Sequence, residues 1–425
     1  MEKSFNRYKW ISLLSFAFMY NFVYTSRFSV NNMMENFARD ISITEAQQEM
    51  ISASVFVFYA LGSFVNGYLA DRYGGKKLVV TGGVMSACLN IGVTLQTSWI
   101  PVLVIWSMNG YFQSMIWLGG ISIFANWWKE GERGKGIGTA NFFSGMSHVT
   151  AYVLPLMILS MAPGAGWKNN IIIPALILLG FVMIFSILGV EKPEDRGLKP
   201  YEAVSERHRK RERILKKMAA EGKKPWKFFA LQKNFWWWCA IAMLSSLCRY
   251  GLLYWIPLYY DERQGAPLLS ESFSNLILPI GMAFGTLIIT WVAGTKTFNN
   301  KGIIVIAMAA ICGTLVVMFP MIDNTQSVLV GIFLTGFVLY GINGILWVHA
   351  IDQGCRVFAG TAAGIFNGFA YIGTFAQEFI FDAVTNLFGT NLSVFVLMEI
   401  FCIMMVVCGM AVSKKNTVVA PEVKE

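Results

Sequence analysis

The sequence predicts an all-α polytopic membrane protein whose twelve transmembrane helices form two six-helix halves. Three observations carry this. Only 14% of the 425 residues are charged, 55% are hydrophobic, and the mean hydropathy is +0.53, whereas soluble domains carry about 25% charged residues. Apolar runs of about 20 residues recur along the chain, each ending in a small charged cluster, and a run of that length crosses the hydrocarbon core as a helix. A single basic segment, residues 191–233, divides the runs six and six. This distribution excludes a soluble enzyme, a disulfide scaffold and a disordered chain.

Taken in order, the first spans are expected at 10–33, 49–70, 78–97, 100–125, 136–162 and 170–190. Lys3, Arg7 and Lys9 precede the first run, which is too long for a signal core, lacks a small-x-small cleavage site and contains Asn21 and Arg27; it reads as a retained span. Ser98 and Pro101 mark the tight turn between spans three and four. The remaining spans are expected at 235–260, 271–294, 302–322, 327–350, 358–384 and 390–412. The domains follow: a bundle at 1–190, a linker at 191–233, and a bundle with a short tail at 234–425. Lys and Arg of the short loops (71–77, 129–135, 296–301), with both termini and the linker, fall on one side, which the positive-inside rule makes cytoplasmic.

The net charge of +9 could suggest nucleic acid in a soluble chain. Here the linker alone holds 14 Lys and Arg against 7 Asp and Glu, so the excess belongs to a membrane-facing loop. Its segment 205–222 has a charged helical pattern expected to lie along the surface near anionic lipid. Trp127–Trp128 and Trp236–Trp238 fall at the expected interfaces and read as anchors. Seven scattered cysteines show no metal or redox spacing and read as small packing residues. No phosphate-binding GxxxxGK[ST] loop, metal cluster or nucleophile triad occurs, so neither an enzyme nor a cofactor is expected.

Arg27 and Arg249 each lie well inside an apolar span, where a cation costs at least ~2.5–3.5 kcal/mol. Snorkelling is poor more than a turn from a span end. Spans one and seven are equivalent in a two-repeat design, so both guanidiniums can face the axis at similar depth and form a fork for a dianion. Tyr20 and Tyr24 precede Arg27 by seven and three residues, on its helix face. Trp117, Asn141 and Trp255 are further candidates for the cavity wall, with core packing as the competing reading. Glu378, midway along span eleven, and Asp382 one turn later supply opposite charge; a buried carboxylate must be paired or protonated.

Gly67-Tyr-Leu-Ala-Asp71-Arg72-Tyr-Gly74-Gly75-Lys76-Lys77, between spans two and three, resembles the GxxxDRxGxRK signature of the major facilitator superfamily. Asp71 and Arg72 could pair at a helix terminus and latch one conformation, a gating role without substrate information. Tyr20–Arg27, Gly110–Trp117 leading to Trp127–Gly134, Arg249–Pro257, and Tyr340-Gly341 with Ala359–Gly364 are together similar to the organophosphate:phosphate antiporter family. That resemblance covers nearly the whole chain. It implies a major facilitator fold, phosphate bound by Arg27 and Arg249, a monomer in the bacterial cytoplasmic membrane, and import of an organophosphate in exchange for inorganic phosphate by rocker-switch alternating access. In the glycerol-3-phosphate branch span two supplies a lysine and span five a histidine; Ser63 and Ser144 stand there. His148, one turn on, is the candidate substitute. The missing cations and the presence of Glu378 leave the substrate open among small organic anions. A proton-coupled symporter using Glu378, or a membrane sensor for a sugar phosphate, are the alternatives.

Overall fold

The computed structural model describes residues 2–161, 166–202, 205–264, 271–293, 300–322 and 324–414, with the side chains of a few helical positions, Glu378 among them, left out. Every extended element among the described residues is an α-helix, the form in which a chain in lipid satisfies its own backbone N–H and C=O groups.

The first six long helices are α1 (Glu2–Asn32), α3 (Glu45–Tyr73), α4 (Gly75–Val93), α5 (Trp99–Trp127), α6 (Arg133–Met161) and α7 (Asn169–Leu188), with a short α2 (Met34–Ile41) after α1. The linker contributes α8 (Glu206–Ala220) and α9 (Trp226–Ala230). The second six are α10 (Lys233–Gln264), α11 (Glu271–Ala293), α12 (Lys301–Met318), α13 (Thr325–Gly354), α14 (Ala359–Phe388) and α15 (Leu392–Ser413). All twelve expected spans coincide with these helices.

Local chemistry sets the boundaries. Thr44 and Gln47 form a reciprocal capping box at the start of α3. Gly74 joins α3 to α4 at φ 101°, a region that disfavours any residue with a Cβ. The Asn324 side chain accepts from Gln326 N and Ser327 N to start α13. α1 begins eight residues before the expected apolar boundary. There Lys9 is buried, bonded to Glu132 at 2.9 Å and lying 3.8 Å over the Trp128 ring, so the charge is carried inward by its partners.

The packing repeats. In the first half α1 packs on α6 and α7, α5 on α3 and α4, and α4 on α7; in the second, α10 packs on α14 and α15, α13 on α11 and α12, and α12 on α15. These are equivalent pairs when the two sets of six are matched in chain order. The halves meet along two seams, also equivalent: α3 against α14, and α6 against α11. Small residues line both. A Cβ on Gly360 would stand 2.6 Å from Gly67 O, and one on Gly145 would stand 2.9 Å from Ala283 Cα. Backbones approach this closely only where side chains are absent.

Seven of the helices are long and apolar enough to cross a membrane on length and composition alone: α3, α6, α7, α11, α12, α13 and α15. The other five long helices carry more polar residues, and four of them (α1, α5, α10 and α14) wall the central cavity described below. Two expectations are corrected. Trp127 and Trp128 are fully buried rather than interfacial, Trp127 Nε1 donating to Val190 O at 2.8 Å. Only Trp236 and Trp237 of the triple are exposed; Trp238 is buried and stacks on His349 at 4.2 Å. The linker helix does not lie out along the surface either. It packs across the mouth between the halves, with His208 and Leu215 buried.

Candidate substrate site

Between the halves, near mid-depth, lies a cavity of about 30 Å³ to a water-sized sphere, walled by α1, α3, α5, α6, α10, α13 and α14. Its wall is aromatic and amide-rich. Tyr20 stacks on Trp117 (centroids 5.1 Å, 21°), and the Tyr20 and Tyr24 hydroxyls are 3.4 Å apart. Tyr59 of α3 stacks on Tyr371 of α14 (4.0 Å, 13°), closing the end away from the linker. Trp117 meets Trp347 edge-on at 5.5 Å, closing the linker end.

Both intramembrane arginines come to this cavity. Arg249 lines it, donating from Nη1 to the Tyr340 hydroxyl (3.0 Å) and from Nη2 to the Tyr250 hydroxyl (2.6 Å), with its guanidinium 4.3 Å from the Tyr250 ring. Arg27 is buried beside it, 5.1 Å over the Phe56 ring and 6.0 Å from Tyr59, which lines the cavity. Four buried N–H donors here have no hydrogen-bond partner: Arg27 Nη1, Arg249 Nε, Trp117 Nε1 and Asn141 Nδ2. No carboxylate lines the cavity among the described residues. Two guanidiniums held in low dielectric without a counter-charge are costly. All four unpartnered groups are donors, and a ligand that relieves them must accept hydrogen bonds and carry negative charge.

The structure thus brings together Arg249, Tyr20, Tyr24, Trp117 and Asn141 on the wall, with Arg27 against it. It separates two other candidates, His148 and Trp255. His148 lies off the wall; its ring packs against Phe28, tilted by 40° with centroids 4.1 Å apart, and its Nδ1 is 3.3 Å from Gly145 O. The serine one turn earlier, Ser144, takes the wall position instead. Trp255 lines a larger cavity of about 1370 Å³ further from the linker, together with exposed Asp382. The Glu378 side chain lies outside the described residues. Sequence reasoning missed Tyr59, Tyr340, Asn343, Asn367 and Tyr371 on the wall; the signal was there in Asn343 and Asn367, amides inside apolar spans.

The gating pair separates as well. Asp71 does not pair with Arg72. Its Oδ1 accepts from Gly360 N (2.8 Å) and Ser122 Oγ (3.0 Å), its Oδ2 from Thr361 N and Thr361 Oγ1 (both 2.7 Å). It therefore caps the first turn of α14 from across the seam, where exposed amides and the helix dipole favour an anion. Arg72 is exposed, over the Tyr73 ring at 5.4 Å.

More contacts close the same face. Asp352 at the end of α13 pairs with buried Arg133 of α6 and with Lys301 (2.6 Å). Arg133 also donates from Nε to Trp128 O (3.3 Å) and from Nη2 to His208 Nε2 (3.0 Å) of the linker helix. Arg356 bonds Glu194 (2.8 Å) and Asn126 (3.2 Å). Burial pushes the Glu194 carboxyl up, but the Arg356 hydrogen bond, a backbone hydrogen bond and the charges of Arg356 and Lys192 together outweigh it and hold the group below its ordinary value.

Comparison with known proteins agrees with this architecture. The profile of the Major Facilitator Superfamily matches residues 16–377. The chain is 25% identical to the glycerol-3-phosphate transporter of Bacillus subtilis (strain 168), over 87% of this chain and 85% of that one. It is 23% identical to a probable hexose phosphate transport protein of Chlamydia pneumoniae, over 87% and 84%. Among solved structures, the Major Facilitator Superfamily transporter FucP in its outward conformation superposes with TM-score 0.71 at 12% identity, over 96% of this chain and 100% of that one, which speaks for the fold.

Proposed function

The chain belongs to the Major Facilitator Superfamily, and is a multi-pass membrane transporter rather than an enzyme; we propose that it exchanges a small organophosphate for inorganic phosphate. The observation that carries this reading is the donor-only cavity. Arg27, Arg249, Trp117 and Asn141 leave four buried N–H groups unpartnered, with two formal positive charges and no carboxylate among the described wall residues. A phosphate dianion supplies the acceptors and the charge at once. The names of the relatives, transporters of glycerol-3-phosphate and hexose phosphate, support the same class.

Transport follows from the seams. The cavity is too small for a sugar phosphate until the halves part, so entry requires one face to open. Residues 1–190 and 234–425 act as the two rocking bodies around a midplane site. The linker face, with both termini, is placed in the cytoplasm by its lysines and arginines, and the membrane is the bacterial inner membrane, with the protein working as a monomer. Charge balance drives exchange: a cavity holding two guanidiniums is costly to return empty and cheap to return with phosphate bound.

The test is uptake of labelled phosphate by proteoliposomes loaded with phosphate, with unlabelled organic phosphates, phosphonates, sulfonates and carboxylates as competitors. Exchange that stops without internal phosphate is expected, and the strongest competitor names the substrate. Uptake driven by an imposed pH gradient alone would replace this reading with proton symport; tight binding without counterflow would replace it with a sensor.

A further inference from the structure

We propose that the linker face holds a second, separate anion site for a phosphate group, enclosed by α8 and the ends of α10, α12 and α13. The cavity there measures about 370 Å³ to a water-sized sphere, an order of magnitude roomier than the central one. Four cations line it, Arg207, Arg211, Lys301 and Lys414, against two carboxylates, Glu130 and Asp352. Both carboxylates are committed elsewhere. Asp352 holds Arg133 and Lys301, and Glu130 accepts from Ser205 N (3.1 Å) and Ser205 Oγ (2.7 Å).

Arg211 is the group left over. It faces inward one turn after Arg207, and its two Nη atoms donate to the side-chain carbonyl oxygens of Gln353 and Gln232, with Phe228 5.8 Å beneath the guanidinium. Amides satisfy its hydrogen bonds but not its charge, and no described carboxylate pairs with it. Burial draws Arg211 below its ordinary pKa and the charge of Arg207 pulls the same way, only partly opposed by Cys355 and by the Asp352 carboxylate. A cation so placed is stabilised by an anion that enters the cavity. The start of α12 opens on the same space: Asn300 caps Gly302 N at 3.1 Å, and Lys301 and Gly302 line the wall, adding the positive end of an 18-residue helix. The Arg207 and Arg211 guanidiniums with the Lys301 and Lys414 ammonium groups make a donor set suited to phosphate oxygens.

Trp236 and Trp237, exposed on α10 beside the cavity-lining Asn234 and Trp238, put the site at headgroup depth. The phosphate therefore comes either from solution or from an anionic lipid. Either source has the same consequence. α8 already grips the first half through His208–Arg133 and Ser205–Glu130. An anion on Arg211 ties it to the second half as well, and holds this face closed.

The experiment measures binding of radiolabelled phosphate to the purified full-length protein in neutral detergent by equilibrium dialysis, using Arg249→Gln to remove the central site. Arg249→Gln is expected to keep one saturable phosphate per chain. Adding Arg211→Gln should weaken it at least tenfold, and adding the exposed Arg207→Gln several-fold. In phosphate-free nanodiscs, a rise in melting temperature from phosphatidylcholine to phosphatidylglycerol that vanishes in Arg211→Gln assigns the site to a lipid headgroup; Arg211-dependent phosphate binding without that rise assigns it to free phosphate. The proposal is overturned if neither measurement changes in folded Arg211→Gln and Arg207→Gln proteins. Loss of exchange in Arg249→Gln reports on the central site alone, so the two readings fail independently.

Discussion

The central cavity and the linker-side latch are both built around buried arginine, and they differ in what surrounds it. Arg133 is 1% exposed yet has a carboxylate, a carbonyl and an imidazole on its donors. Arg27 is nearly as enclosed (3%) and Arg249 is half-buried, but both keep unpartnered N–H groups and have no acid beside them among the described residues. An arginine with its counter-ion beside it is part of the frame, whereas one without is held ready for something that arrives. The same side chain therefore has opposite expected consequences when removed.

Arg249→Gln or Arg27→Gln should lower anion exchange by about a hundredfold or more, the worth of two charge-assisted hydrogen bonds, while the melting temperature stays level or rises because an uncompensated charge has gone. Normal exchange in either variant would erase the distinction. Arg133→Gln should do the reverse, destabilising by about 2–4 kcal/mol with Asp352 still partly held by Lys301. The readout is thermal unfolding in detergent, and a double cycle with Asp352→Asn should show coupling. A melting temperature unmoved by Arg133→Gln would remove it from the frame.

Asp71→Asn keeps one acceptor for α14 and loses the negative charge, about 1 kcal/mol. It should leave affinity for substrate intact while raising labelling of a cysteine placed under the seam at Ser63, since it acts on the opening of this face; unaltered labelling would count against it.

The smallest effect is expected from pH. Arginine only donates, so His208 Nε2 must accept from Arg133 and the ring is neutral in this state. Burial and then Arg133 lower the His208 pKa, against the opposing charges of Asp352, Glu130 and Glu212; the Cys355 thiol on its other side is neutral, its pKa raised to about 12 by burial. A histidine whose pKa is depressed on docking binds more protons when released. Docking of α8 should therefore hold above the free value of 6.5 and weaken as pH falls below it. Proteolysis of the linker should accelerate below that pH in the parent protein and lose the trend in His208→Gln.

The same contrast explains what could be read in advance. Twelve spans were legible because lipid demands long apolar runs, and Arg27 and Arg249 because a cation inside one is conspicuous. Tyr59 and Tyr371 were not, since a tyrosine in a span packs as readily as it binds, and only their stacking across the seam sets them apart. Docking of α8 was hidden because Arg207, Arg209, Arg211 and Arg213 read as a solvated helix, while the apolar contact rests on Leu215. Ser144 keeps the wall position the resemblance gave it, and His148 does not substitute because one helical turn moves its side chain off the wall. Asp71 was read as a gating residue paired with Arg72, but its partners on α14 lie nearly three hundred residues away.

The glycine contacts of the α3–α14 seam carry a mechanical consequence. Backbone rests on backbone at Gly67, Gly360 and Gly364, so no side-chain knobs interlock at this end of the seam, whereas Tyr59 on Tyr371 and Phe64 on Gly368 interlock it further along. The glycine stretch behaves as a bearing. The four bonds of Asp71 at its end behave as a detent that resists the first fraction of the roll. A roll across this seam would accordingly meet its first threshold at one carboxylate.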